Sequence, residues 1–174
     1  AGSHVHVGAA IAFPLGQTTL EDKLSETRNA IKNGADEIDY VVNLTKLKAG
    51  DTAYIESEMA RITDICREFS VVSKVIFENC YLTEDEKKTL CHIATKVKPD
   101  FIKTSTGFGT GGATFEDVAL MKRETEGSGV KIKAAGGIRT LKTALEMINL
   151  GVSRIGSTSS VAIMEEYMAH SPLL

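Results

Sequence analysis

Tryptophan is absent from this 174-residue sequence, proline and cysteine occur three times each, and aromatic residues make up only 6% of it. The cysteines, Cys66, Cys80 and Cys91, are odd in number and lack Cys-x-x-Cys spacing, which argues against a disulfide framework and against a thiolate zinc site. Of the four histidines, His4 and His6 lie near a terminus while His92 and His170 fall in helical segments without a partner motif. No metal-ligand cluster is legible. There is no run of about 18 apolar residues and no basic segment followed by an apolar one at the start, so neither a membrane span nor a signal peptide is expected. A net charge of -3 and no Lys/Arg cluster longer than a pair argue against nucleic acid or an anionic membrane as the main partner. A small anion stays compatible with that balance, and a reducing, cytoplasmic compartment fits the cysteine usage. The opening Ala1-Gly2-Ser3-His4 has no initiator Met and runs almost directly into a strand-like segment. A processed or partial chain, or an expression remnant, is the expectation.

What remains is ordinary for one globular domain over residues 1–174: 43% hydrophobic and 25% charged. Val5 to Phe13 is a run of small and apolar residues, read as a strand buried on both faces, and Pro14-Leu15-Gly16 ends it. Thr19 caps a helix with Asp22 three residues on, and Leu20, Leu24, Thr27 and Ile31 keep helical spacing up to Gly34. The alternation then repeats. Strands are expected over Glu37 to Val42, Val71 to Phe77, from Asp100, over Val130 to Ala134 and over Arg154 to Gly156; helices carry Tyr54 to Phe69, Leu90 to Val97, Thr114 to Glu126, Thr140 to Leu150 and the last stretch. Thr83-Glu84-Asp85-Glu86 forms a capping box.

A βα rhythm of about 30 residues calls for a parallel sheet with right-handed crossovers. Because Asp39, Lys74, Lys103 and Lys133 fall toward the C-terminal ends of their strands, where barrel active sites lie, a (β/α) barrel is preferred to a doubly wound sheet. Six βα units are visible where a TIM barrel has eight.

The stretch Asp100 to Gly112, DFIKTSTGFGTGG, carries a lysine on an apolar strand into a glycine-rich loop. Lysine is seldom buried without a partner, so Lys103 calls for a reason. Lys133 lies on the next strand, placing the two about 4.8 Å apart across the sheet. Two ammonium groups at about 5 Å repel by about 3 kcal/mol at an effective dielectric near 20, roughly two and a half pKa units. One of the pair should then be substantially neutral and nucleophilic, as a Schiff-base lysine must be. Because such a pair titrates together, the sequence leaves open which nitrogen attacks a carbonyl. Asp39 has the inward parity to move protons, or to form a structural salt bridge with Lys74 or Lys133. Cys66 and Cys91 read as core, while Cys80 and Glu78, just after a strand, are weaker candidates to line the site.

Three loops follow strands and precede helices: Gly107-Phe108-Gly109-Thr110-Gly111-Gly112, Gly136-Gly137-Ile138-Arg139 and Gly156-Ser157-Thr158-Ser159-Ser160. Glycines let backbone N–H groups approach a ligand, and helix N-termini favour anions, so phosphate is the expected guest, with charge from Arg139.

These motifs, AFPLGQTT, GADEIDYVVN, KVIFENCYLT, DFIKTSTGFGTGGAT, KAAGGIRT and RIGSTSSV in that order along nearly the whole chain, resemble class I deoxyribose-phosphate aldolase. The resemblance implies a lyase of deoxyribose phosphate catabolism that reversibly cleaves 2-deoxy-D-ribose 5-phosphate to D-glyceraldehyde 3-phosphate and acetaldehyde, without metal or organic cofactor. By motif, Lys103 matches the Schiff-base nucleophile, Lys133 the neighbour that makes it reactive, and Asp39 the proton-relay carboxylate. Lys74 matches a further polar barrel residue. Phosphate binding falls on Gly107, Gly136, Gly137, Gly156, Thr158 and Ser159, with Arg139 in support. Two departures stand out: Phe108 occupies a place where some members carry a phosphate-binding lysine, and the family's first two βα units have no counterpart. Exposed sheet edges and apolar faces suited to self-association are therefore expected. The alternative is a non-catalytic phosphate-ligand-binding or assembly protein on a shortened aldolase scaffold. A different phosphate-binding barrel enzyme, such as an isomerase, would leave the second lysine without a task.

Overall fold

In a computed structural model, residues 4–170 are described; Ala1 to Ser3, part of the stretch that reads as a processed start, lie outside them. Six strands alternate with helices: β1 (Gly8–Ile11), α1 (Leu20–Lys32), β2 (Glu37–Val41), α2 (Leu44–Lys48), α3 (Thr52–Glu68), β3 (Val72–Ile76), α4 (Glu84–Val97), β4 (Phe101–Lys103), α5 (Phe115–Glu124), β5 (Lys131–Ala135), α6 (Leu141–Asn149), β6 (Arg154–Gly156) and α7 (Ser160–His170). The six strands form one parallel sheet in chain order. Each βα loop that enters α1, α4, α5 or α6 ends on a threonine whose hydroxyl accepts an N–H three residues on: Thr19, Thr83, Thr114 and Thr140. Those caps fix where each helix starts and thereby how long each loop over the sheet's C-terminal edge can be. Thr83 and Glu86 close the expected capping box.

The sheet curls. Arg154 of β6 reaches across its concave side to both oxygens of Glu37 on β2, a contact between residues 117 positions apart. The convex side carries the apolar core, in which Ile38, Tyr40, Val75, Ile102, Ile132 and Ala134 pack against helices that include Ile55, Met59, Leu90, Val118 and Met147. The fold is thus six strands of a TIM-type barrel, open between β1 and β6 among the described residues.

Two expectations about the first strand need correction, and one helix was not expected. The first strand is shorter than Val5 to Phe13, and it is not buried on both faces: Gly8 and Ala10 are exposed, since β1 is an edge strand with β2 as its neighbour. Phe13 belongs instead to the turn that follows, where the Phe13–Pro14 peptide is cis. Helix α2, capped by Asn43, was not legible, because five residues are too few for a helical period to show. Apolar exposure is present as expected: Val161, Met164, Tyr167 and Met168 of α7 are all solvent-exposed, and no helix among the described residues is long and apolar enough to cross a membrane.

Candidate active site

Strand register decides what meets on the concave side. Asp39 is paired with Lys74, Lys74 with Phe101, and Lys103 with Lys133. Side chains alternate along a strand, so Glu37, Asp39, Lys74, Phe101, Lys103, Lys133 and Arg154 all point inward. Lys103 and Lys133 therefore stand side by side, one inward position above Lys74.

Asp39 links them. Its Oδ2 accepts from Lys103 Nζ at 2.9 Å and from Lys133 Nζ at 2.7 Å, while its Oδ1 accepts from Lys74 Nζ at 2.6 Å. The expected like-charge pair is thus bridged by a carboxylate, which offsets part of the repulsion that the two strand lysines alone would suffer. Burial would raise the Asp39 pKa, yet Lys103, Lys133 and Lys74 together hold it well below the ordinary carboxylate range. Burial lowers Lys133 below its usual ammonium value and the charge of Lys103 adds to this, against the pull of Asp39. A lysine driven toward its neutral form beside a second lysine and an ionised carboxylate is equipped for nucleophilic and proton-transfer chemistry at a carbonyl.

The two lysines form the floor of a cleft of about 380 Å³ walled by Thr106, Gly107, Gly136, Gly137, Ile138, Arg139, Gly156, Ser157 and Thr158. Gly107, Gly136 and Gly137 take positive φ, while Gly156 in the cleft wall and Gly112 behind it are required by close approach. A Cβ on Gly112 would stand 2.3 Å from the Gly136 carbonyl oxygen, and one on Gly156 would stand 2.9 Å from Ala135 Cβ and 3.4 Å from Lys133 Cε. Ser157 Oγ donates to the Ile138 carbonyl at 2.5 Å and accepts from Ser159 N at 2.9 Å, tying the last two loops together. Backbone amides at these turns, the α7 N-terminus and the exposed Arg139 make this end of the cleft suited to an anion.

Of the residues singled out in the sequence, Lys103, Lys133, Gly107, Gly136, Gly137, Arg139, Gly156 and Thr158 line the cleft. Lys74 does not. Its side chain is fully buried beside Asp39 and also paired to Glu37 at 2.8 Å, so it acts on the carboxylate and does not reach the cleft. Ser159 is not part of the cleft wall, and its backbone N–H donates to Ser157 Oγ. Asp39 lies just under the floor, 8% exposed.

Sequence reasoning missed Glu37, Arg154 and the role of Glu78. Glu78 is buried in a left-handed backbone conformation, φ 56°, and its carboxylate accepts from Thr106 N at 3.0 Å and from the Thr106 hydroxyl, bracing the loop that follows Lys103. Cys80 packs against Gly109 of that loop, while Cys66 and Cys91 are buried, their thiols pushed up to about 12 by burial. Phe108 is 76% exposed and meets Phe13 edge to face at 5.4 Å.

Comparison with known proteins gives the family and the fold. The DeoC/LacD family aldolase pattern matches residues 2–158. A deoxyribose-phosphate aldolase of Lactobacillus acidophilus is 58% identical over 164 residues, which is 94% of this chain and 69% of that protein. Among solved structures, QR15, an aldolase, superposes with a TM-score of 0.90 at 41% identity, covering 96% of this chain and 74% of that one. A deoxyribose phosphate aldolase from Aeropyrum pernix, described as a unique tetramer, gives 0.86 at 29% identity over 96% of this chain and 70% of that one.

Proposed function

Because the chain belongs to the DeoC/LacD aldolase family, we propose that it is a class I deoxyribose-phosphate aldolase, cleaving 2-deoxy-D-ribose 5-phosphate reversibly to D-glyceraldehyde 3-phosphate and acetaldehyde. The observation that carries the reading is a pair of inward lysines sharing one oxygen of Asp39 at the floor of a glycine-walled cleft. In this reading Lys103 Nζ adds to the sugar's C1 aldehyde, and loss of water gives the protonated imine. Asp39, directly or through water, takes the proton from the C3 hydroxyl. The electrons of the C2–C3 bond then flow into the iminium and glyceraldehyde 3-phosphate departs. Protonation of the resulting enamine at C2 and hydrolysis of the imine release acetaldehyde and return the lysine. Lys133, lowered by burial, takes and returns protons beside it.

The substrate phosphate goes to Gly107, Gly136, Gly137, Gly156 and Thr158, with Arg139 at the rim. Backbone dipoles and one guanidinium supply the attraction, and Ser159 supports the loop through Ser157. Three free cysteines, two of them buried, support a reducing, cytoplasmic setting, and the exposed apolar face of α7 supports self-association.

The test is borohydride reduction in the presence of acetaldehyde followed by peptide mapping. One reduced two-carbon adduct on Lys103, absent in Lys103→Met, is expected. A folded chain that traps no adduct there overturns the reading.

A further inference from the structure

Beneath the two site lysines runs a line of charged side chains that the cleavage steps above use only at its upper end, Asp39. Arg154 Nη1 donates to Glu37 Oε1 at 2.6 Å and to Oε2 at 2.5 Å, Glu37 Oε2 lies 2.8 Å from Lys74 Nζ, and Lys74 Nζ lies 2.6 Å from Asp39 Oδ1. The signs alternate from Arg154 up to Asp39, where the line ends on Lys103 and Lys133. Its members, with the two site lysines, come from β2 to β6, so it spans the concave side from β2 to the β6 edge. The Lys74 side chain is 0% exposed and that of Glu37 8%, while Arg154 at the open end is 36% exposed.

A carboxylate facing three ammonium groups presents a fixed oxygen to two of them only if the third is held on the other oxygen. Lys74 does that holding. Glu37 fixes the far side of Lys74, and Arg154 holds both Glu37 oxygens through one nitrogen, Nη1, of its planar guanidinium. Charge also matters here. Four cations share this interior with two carboxylates, so each carboxylate offsets a positive field felt by the site lysines.

We propose that Glu37 and Arg154 are positioning residues of the aldol cleavage: they clamp Lys74 onto Oδ1 of Asp39, so that Oδ2 alone faces Lys103 and Lys133, and their opposite charges set the pH at which that pair works. The inference rests on the aldolase reading. The charged groups that face the pair are Asp39 and Glu37 from β2, Lys74 from β3, Arg154 from β6 and Arg139 at the rim; Lys131 of β5 lies lower, over the Phe101 ring.

The test is the pH dependence of kcat for sugar phosphate cleavage by wild type, Glu37→Gln, Arg154→Met and Arg154→Lys. Glu37 is one inward position, about 7 Å, below Asp39, and a unit charge at about 8–10 Å with an effective dielectric near 20 moves a titration by about one pH unit. Removing the negative charge of Glu37 makes the interior more positive and favours the deprotonated lysine. The acid limb therefore moves down by about one unit. Removing Arg154 moves it up, by about half a unit because its outer end is screened by solvent. Arg154→Lys keeps the charge but replaces the planar guanidinium with a compact ammonium on a flexible stem, so the limb stays and kcat falls as the hold on Glu37 loosens. Opposite shifts support the proposal; unmoved limbs, or shifts of one sign in both variants, overturn it. If Glu37→Gln does not fold, the two Arg154 variants decide alone. Wild type that traps no imine on Lys103 overturns the aldolase reading itself, whereas trapping and turnover with unmoved limbs overturn only the positioning.

Discussion

Replacing Asp39 by asparagine keeps the shape of the side chain and removes the one charge that Lys74, Lys103 and Lys133 all touch. Removing one partner of a buried ion pair costs about 3–5 kcal/mol, because the other charge stays behind uncompensated. The lower end applies here, since Lys74 keeps Glu37 at 2.8 Å and Lys133, already lowered by burial, can release its proton. In a chain of 174 residues, about 3 kcal/mol lowers Tm by about 6–12 °C. The pH dependence has a definite sign. The folded-state pKa of Asp39 is held below its ordinary value of about 3.9, so its contribution is fully present above that value and is lost as pH falls through the folded one. Thermal unfolding followed by circular dichroism should thus show a Tm gap between wild type and Asp39→Asn that is wide at pH 7 and narrows on acidification below about pH 4. The kinetic consequence separates two roles. Imine trapping on Lys103 should survive, because Lys103 and Lys133 both remain at the cleft floor, while turnover falls by about 10²–10⁴ as the proton relay is lost. A variant that melts within about 2 °C of wild type at pH 7 would refute the ion-pair argument. One that keeps full turnover would refute the relay.

Two further perturbations probe the frame around the site. Gly156→Ala puts a methyl 2.9 Å from Ala135 Cβ and 3.4 Å from Lys133 Cε; an overpacking cost of about 1–3 kcal/mol and a ten- to hundred-fold loss of kcat through displacement of Lys133 are expected in urea unfolding and steady-state assays, and unchanged kcat would show that the Lys133 position does not depend on this glycine. On the convex side, Lys23 Nζ and Glu58 Oε1 form a fully buried pair at 2.7 Å that also holds the Val41 carbonyl and the Asn43 N–H, and burial pushes both partners toward their neutral forms. Glu58→Leu alone should cost about 3–5 kcal/mol and the double variant Lys23→Met/Glu58→Leu should recover at least about 2 of these; a double variant as unstable as the single one would mean that the bonds to Val41 and Asn43, not the ion pair, hold the end of β2.

The helices were legible because their signals are local. A threonine three residues ahead of its bonded N–H and a helical run of apolar residues lie within one window of sequence, and the capping box at Thr83 needs nothing from the rest of the chain. Helix α2 escaped because five residues contain no period, and the buried Lys23–Glu58 pair escaped because a lysine and a glutamate on two helices read as solvated charges until the helices pack. The lysine pair was legible for a different reason. Lys103 and Lys133 are inward residues on consecutive strands, and the register joins them directly.

What parity along a strand does not give is depth. Asp39, Lys74, Lys103 and Lys133 all read as inward charges near strand ends, and on that evidence Lys74 is as good a ligand contact as the others. Register separates the three lysines. Lys74 is level with Phe101, two residues before Lys103, so it falls one inward position lower, where it has no exposure and where its partners are Glu37 and Asp39. Depth then decides chemistry: the same ammonium group is a reactant at the level of the cleft and a counter-ion one step below it. The curl of the sheet carries this further, since only when β6 swings toward β2 does Arg154 meet Glu37 across 117 residues. No pattern within a single strand encodes that contact, and the site lysines stand at the end of the ionic line that it anchors.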